Sequence, residues 1–166
     1  MFNQLRMVFV ALALVVAPVT VTAQGTQITF GGLKHDASQP VELSSDSLQI
    51  NQTNGSAVFT GNVVIGQGTM RLSANHVVVE YAAGDSNRRI SKMHATGSVV
   101  LVNGAEAAEA SEAVYSIDNG NIVMTGNVIL TQGQSALSSN RMVVNLKTGQ
   151  ATLEGRVKTI LQTGNN

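Results

Sequence analysis

The chain has 166 residues and a formal net charge of zero, with 10 Lys and Arg against 10 Asp and Glu. So sparse a charge leaves no basic stripe of the kind nucleic-acid binders carry, and four Phe, two Tyr and no Trp are too few for base-stacking platforms. The absence of cysteine excludes disulfides and a lipid-modified N-terminal cysteine, so burial and hydrogen bonding must hold the fold.

At the N-terminus, Arg6 precedes a short uncharged apolar run, residues 7–17 (MVFVALALVVA), which Pro18 breaks before Val21-Thr22-Ala23. That layout predicts a secretory signal peptide over residues 1–23, cut after Ala23. The run is roughly a dozen residues where a membrane span needs about 20, so a retained anchor is the poorer reading. Residues 24–40 show little periodicity and read as a flexible leader. Residues 41–161 read as one β-domain and 162–166 as a tail; roughly 140 residues suffice for a single core.

The domain is a repeat. Residues 58–81 (VFTGNVVIGQGTMRLSANHVVVEY) align without a gap on residues 123–146 (VMTGNVILTQGQSALSSNRMVVNL), 65 positions on, with about half the positions identical. Weaker copies at 94–101 (HATGSVVL) and 152–158 (TLEGRVK) complete four units. Equivalent glycines stand at Gly61, Gly97, Gly126 and Gly155, and a second anchor recurs at Asp46, Asn75, Ser111 and Asn140. The first glycine interval is longer because of a polar loop between Tyr81 and Lys92.

Within each unit the apolar period is two, which predicts strands. Leu48 and Ile50 alternate first, and a turn at Asn54-Gly55 leads to Phe59, Gly61, Val63 and Ile65 on one face. Val77, Val79 and Tyr81 follow; Ala83-Gly84-Asp85 turns the chain into Ala95, Gly97, Val99 and Leu101. Ala113, Tyr115 and Ile117 lead through Asn119-Gly120 to Met124, Gly126, Val128 and Leu130. Met142, Val144 and Leu146 lead through Thr148-Gly149 to Leu153, Gly155 and Val157. Residues 105–113 (AEAAEASEA) favour a helix by composition, but their equivalents in the other units are strands, so they too are assigned to strand. Alternating side chains make one apolar wall, which suits an ordinary sandwich core and a lipid-lined groove alike. A glycine inside each return strand marks a bend or close packing. Sequential hairpins of this kind predict an all-β antiparallel jellyroll or related sandwich, with edges at residues 43–51 and 157–161.

Chemistry for catalysis is missing from the pattern. His35, His76 and His94 have no second ligand at metal spacing. Glu106, Glu109 and Glu112 lack the spacing of a calcium loop and read as a solvated face. Arg88, Arg89 and Lys92 form the single basic cluster, either a soluble hairpin tip or a contact to phosphates. No cofactor and no enzyme are expected.

The phrase Phe59-Thr60-Gly61-Asn62-Val63-x-Ile65-x-Gln67-Gly68, then Leu72-Ser73-Ala74-Asn75-x-Val77-x-Val79, resembles the OstA-like domain of lipopolysaccharide-export proteins, and residues 124–144 match it again. The likeness covers residues 41–161. It departs at the anchor, where the family's Ala-Asp stands as Ser45-Asp46, Ala74-Asn75, Ala110-Ser111 and Ser139-Asn140. The resemblance implies a periplasmic β-jellyroll whose interior, lined by the apolar residues named above, takes up lipid A acyl chains of lipopolysaccharide. It further implies head-to-tail self-association between inner-membrane LptC-like and outer-membrane LptD-like jellyroll domains. A filament-forming structural β-protein of the envelope, without a lipid ligand, is the alternative.

Overall fold

The computed structural model describes residues 25–29, 39–84 and 88–160; the expected signal peptide, most of the leader including His35, and the tail lie outside them. The period-two segments form β1 (Thr26–Thr29), β2 (Glu42–Ser44), β3 (Ser47–Ile50), β4 (Ala57–Gln67), β5 (Met70–Tyr81) and β6 (Ile90–Asn103). They continue as β7 (Glu106–Ser116), β8 (Asn121–Gln132), β9 (Ser135–Asn145), β10 (Gln150–Glu154) and β11 (Lys158–Ile160). The Ala- and Glu-rich stretch is strand β7: register against both neighbours overrides its helical composition. The order is β1-β10-β9-β8-β7-β6-β5-β4-β2, with β3 also on β4 and β11 also on β9. Every pairing is antiparallel.

Each long strand bends where the repeated glycine meets the repeated anchor. Between β4 and β5 the register passes from Thr60↔His76 to Val63↔Ala74, so Gly61 and Asn62 lie opposite Asn75 alone. Between β8 and β9 it passes from Thr125↔Arg141 to Val128↔Ser139, setting Gly126 and Asn127 against Asn140. These are β-bulges, two residues against one, which kink a strand and raise its twist. Both residues of each pair take the left-handed conformation, with φ of 81° and 48° at Gly97 and Ser98. Glycine is required there for a second reason: a Cβ on Gly97 would lie 2.9 Å from Nδ2 of Asn75. The anchor side chain packs against the glycine of the following strand at Asp46–Gly61, Asn75–Gly97, Ser111–Gly126 and Asn140–Gly155 alike.

The bends divide the sheet into two layers. One contains β3, β10, β1 and the halves of β4 to β9 around residues 57–60, 76–81, 90–96, 112–116, 121–125 and 141–145. The other contains β2, β11 and the remaining halves. β2 and β3 are thus one bent strand interrupted at Asp46, and β10 and β11 another interrupted at Gly155. That the layers lie face to face follows from burial: Val77, Met124 and Met142 on one, and Leu101, Val128 and Leu130 on the other, are all sealed from solvent. The Tyr115 hydroxyl also donates to Oε1 of Gln67 at 2.9 Å. The strands holding these two residues are three apart, about 14 Å within a sheet, so the bond crosses between layers.

Two expectations are corrected. The leader is not wholly without structure, since Thr26–Thr29 is a strand paired with β10 through Thr26↔Leu153 and Ile28↔Ala151. Its partner lies more than a hundred residues away, so no local periodicity announces it. Consequently β11 is the C-terminal edge of one layer only; β1 is the outermost strand of the other.

Candidate functional site

The interior wall is built from rungs that cross the sheet residue by residue. One runs Leu48–Phe59–Val77–Ala95–Ala113–Met124–Met142–Leu153, and the next Ile50–Ala57–Val79–Met93–Tyr115–Ile122–Val144–Ala151. Facing them in the other layer is Leu43–Ile65–Leu72–Leu101–Ala108–Leu130–Leu137. Of the wall residues read from the sequence, Val63, Ile65, Val77, Val79, Val99, Leu101, Tyr115, Met124, Val128, Leu130, Met142, Val144, Leu146 and Leu153 are buried. Phe59, Tyr81, Ile117 and Val157 are partly buried against them. Leu48 and Ile50 keep the inward side but are 51% and 59% exposed, because β3 is an edge strand with no described strand beyond it.

Sequence reading missed Met70, Leu72, Ala74, Ala108, Ala110 and Leu137, all buried. They precede the anchor, and there the alternation runs in the opposite phase: Met70, Leu72 and Ala74 point inward, then Val77 and Val79. The single anchor residue spans the corner and shifts the inward side by one. Met93 and Ile122 needed only one more step of the alternation already found.

Polar groups hold the side where the hairpin tips of the two layers meet. Gln67 accepts from Tyr115 and donates through Nε2 to the carbonyl of Gln39 at 2.9 Å. Gln132, its equivalent in the second strong copy, donates through Nε2 to the carbonyl of Thr29 at 2.7 Å. Both are the glutamine of the repeated Gln-Gly, and both hold the N-terminal segment. Burial raises the Tyr115 hydroxyl pKa above its ordinary value, since a phenolate there would lose its hydration.

The basic cluster does not converge. Arg89 pairs with Asp118, and Lys92 with Glu80 at 2.8 Å. Arg88 lies over the Tyr81 ring, 4.9 Å from its centre, and donates to the carbonyl of Gly55 at 3.2 Å. With Ile50, Gly55, Tyr81 and Gly84 it lines a cleft of about 720 Å³ beside edge strand β3. His94 bonds Glu112 at 2.7 Å and His76 bonds Thr60 at 3.1 Å, each in a one-to-one contact. Among the described residues no group of three or more His, Asp or Glu side chains could hold a metal ion.

The family described as LptA/(LptD N-terminal domain) LPS transport protein matches residues 42–150. The chain belongs to this family. Its members are described by transport, not by catalysis. An uncharacterised protein of Rhizobium meliloti (strain 1021) is 34% identical over 107 residues, covering 61% of this chain and 58% of its own length. The lipopolysaccharide export system protein LptA of Escherichia coli (strain K12) is 33% identical over 55 residues, covering 33% of this chain and 30% of its own. The chain thus spans well under two thirds of these relatives. The crystal structure of LptH, the LptA homologous periplasmic component of the lipopolysaccharide transport device of Pseudomonas aeruginosa, superposes with a TM-score of 0.66. It covers 76% of this chain and 98% of LptH at 16% identity, a likeness of fold. The jellyroll expected of the LptA/LptD family is therefore the fold of this chain.

Proposed function

We propose that this chain is a periplasmic carrier of lipopolysaccharide that shelters lipid A acyl chains between its layers. It hands them along a head-to-tail series of like domains, LptC-like at the inner membrane and LptD-like at the outer. The observation that carries this reading is the pair of apolar walls that meet through side chains, with rungs extending from β3 to β10 whose one polar group is the Tyr115 hydroxyl, itself satisfied by Gln67. Each methylene withdrawn from water gains about 0.8 kcal/mol, so an acyl chain of about a dozen carbons forfeits on the order of 10 kcal/mol if left exposed. A carrier must offer apolar surface without demanding a polar partner. In the closed chain the two walls fill each other, so loading parts the layers and exchanges wall-to-wall contact for wall-to-acyl contact. Signal-peptide cleavage after Ala23 delivers the chain to the periplasm, and Arg88 is the member of the basic cluster free of a carboxylate partner among the described residues to meet a lipid phosphate.

Site-specific photo-crosslinking tests the reading. A crosslinker at Val79 or Met124, both inward, captures lipopolysaccharide; one at the outward neighbours Val78 or Val123 does not. Val79→Asp and Val128→Asp reduce capture several-fold. Capture from the outward positions alone rejects the interior as the site. Exposed edge β3 also suits a structural filament with no lipid, which predicts no lipid by mass spectrometry in purified protein.

A further inference from the structure

The first strand of the chain imitates the third. Gln27-Ile28 in β1 repeats Gln49-Ile50 in β3, and the two strands occupy the same rungs at opposite ends of one layer. Following the pairings from Ile50 through Ala57, Val79, Met93, Tyr115, Ile122, Val144 and Ala151 leads to Ile28. Gln49 leads in the same way to Gln27, and Leu48 to Thr26. Each isoleucine faces inward opposite a buried alanine, Ala57 for Ile50 and Ala151 for Ile28.

Strand direction agrees. The antiparallel steps from β3 to β10 reverse direction seven times, so β10 runs opposite to β3 and β1 runs with it. A second copy placed head to tail, in the same orientation, would bring its β3 onto β10 antiparallel only if β1 had left. With β1 in place the two would be parallel. In the other layer no described strand covers β11, and β2 of the second copy meets it antiparallel without displacing one. Among the described strands β1 is thus the one that breaks continuity between copies.

We propose that β1 is a built-in stand-in for the β3 strand of a second copy, capping the β10 edge until exchange with that strand joins the two molecules. The proposal rests on the head-to-tail reading given above and adds its control. Exchange is favoured by burial: β1 commits one apolar residue, the half-buried Ile28, whereas β3 brings Leu48 and Ile50, now mostly exposed. It is opposed by tethering, since a strand on the same chain competes at an effective concentration on the order of millimolar. Gln132, which holds the Thr29 carbonyl, adds to the restraint.

The test uses the chain from residue 24 onward, a form lacking residues 24–30, and the double variant Gln27→Cys/Thr152→Cys. These two residues are directly opposed on β1 and β10, and the chain has no cysteine of its own. Sedimentation velocity across a concentration series follows self-association. The truncated form associates at a concentration roughly tenfold or more below that of the longer chain, because the tethered competitor is gone. The oxidised double variant stays monomeric and regains association on reduction. Association of the oxidised form equal to that of the reduced form overturns the cap but leaves head-to-tail assembly standing. If none of the three forms associates at any concentration, the head-to-tail reading falls and the cap falls with it.

Discussion

At each corner of the jellyroll a left-handed pair of residues lets the strand turn without losing its inward face. Glycine takes the first place, where φ is 81° at Gly97, and asparagine takes the second in the two strong copies, Asn62 and Asn127. Asparagine tolerates that region better than most residues, which accounts for the Thr-Gly-Asn-Val phrase in physical terms. Gly97→Ala meets two penalties, left-handed backbone strain and a Cβ 2.9 Å from Asn75. Gly104→Ala, at a hairpin tip with φ of 59° and nothing within 4 Å, meets only the first. Chemical denaturation is expected to show a loss of about 1 kcal/mol for Gly104→Ala and about 2–3 kcal/mol for Gly97→Ala. Adding Asn75→Ala to the latter should recover part of the difference, since the amide is removed while the Cβ of residue 75 stays 3.0 Å from the new methyl. Equal losses for the two glycines would rule out packing against the anchor. The sequence displayed both rhythms, glycine and anchor, but not that they touch, because contact between them depends on how two strands are registered.

At the scale of the strand, the corner performs a count. On β6 the extra residue of the bulge keeps Met93, Ala95, Val99 and Leu101 on one side, whereas on β5 the lone anchor moves the inward side from Leu72 and Ala74 to Val77 and Val79. Period-two alternation was therefore legible after each anchor and on every return strand, and illegible before the anchor, where the phase reverses with no turn residue to mark it. The count also predicts which deletions a strand tolerates. Deleting Ser98 leaves one residue against one, the arrangement β7 already has at Ser111, so Val99 keeps its place opposite Ala110 and its inward face, and only the bulge with its added twist is lost. Deleting Val100 instead sets Leu101 opposite Glu109 and turns it outward, since a one-residue slip moves every following side chain to the other face, and the turned leucine forfeits roughly 1.5–3 kcal/mol of burial. Deleting Gly84, exposed at the hairpin tip where the repeat already tolerates extra residues, should cost under about 1 kcal/mol. Urea midpoints distinguish them: a Val100 deletion no more destabilising than the Ser98 deletion would contradict the count.

For the molecule as a whole, two layers of apolar side chains need something to fix how far apart they stand, and Tyr115 supplies a polar tie between them. Its hydroxyl spans from β7 to Gln67 on β4, and Gln67 in turn holds Gln39 at the start of the domain. None of this is legible in the sequence, where Tyr115 reads as one more wall residue and Gln67 as part of a motif, because a bond 48 residues long in sequence and one layer deep leaves no periodic trace. The tie has a pH signature. Burial raises the Tyr115 pKa above the ordinary tyrosine value of 10.0, so the folded chain holds that proton more tightly than the unfolded chain does. The resulting stability is fully present below about pH 10 and is lost as pH rises through the unfolded value toward the folded one. Tyr115→Phe removes the titration along with the bond. At about pH 8 the variant should be less stable by about 1 kcal/mol, the worth of a buried hydrogen bond and slightly more if Gln67 is left short of a donor. By about pH 11 the gap should narrow or reverse, since only the parent chain must then keep a buried phenol protonated against solution. Urea midpoints of the two proteins at both pH values, compared as differences, cancel every group they share. A gap that stays constant from the lower pH to the higher would mean that the Tyr115 hydroxyl is not sealed between the layers.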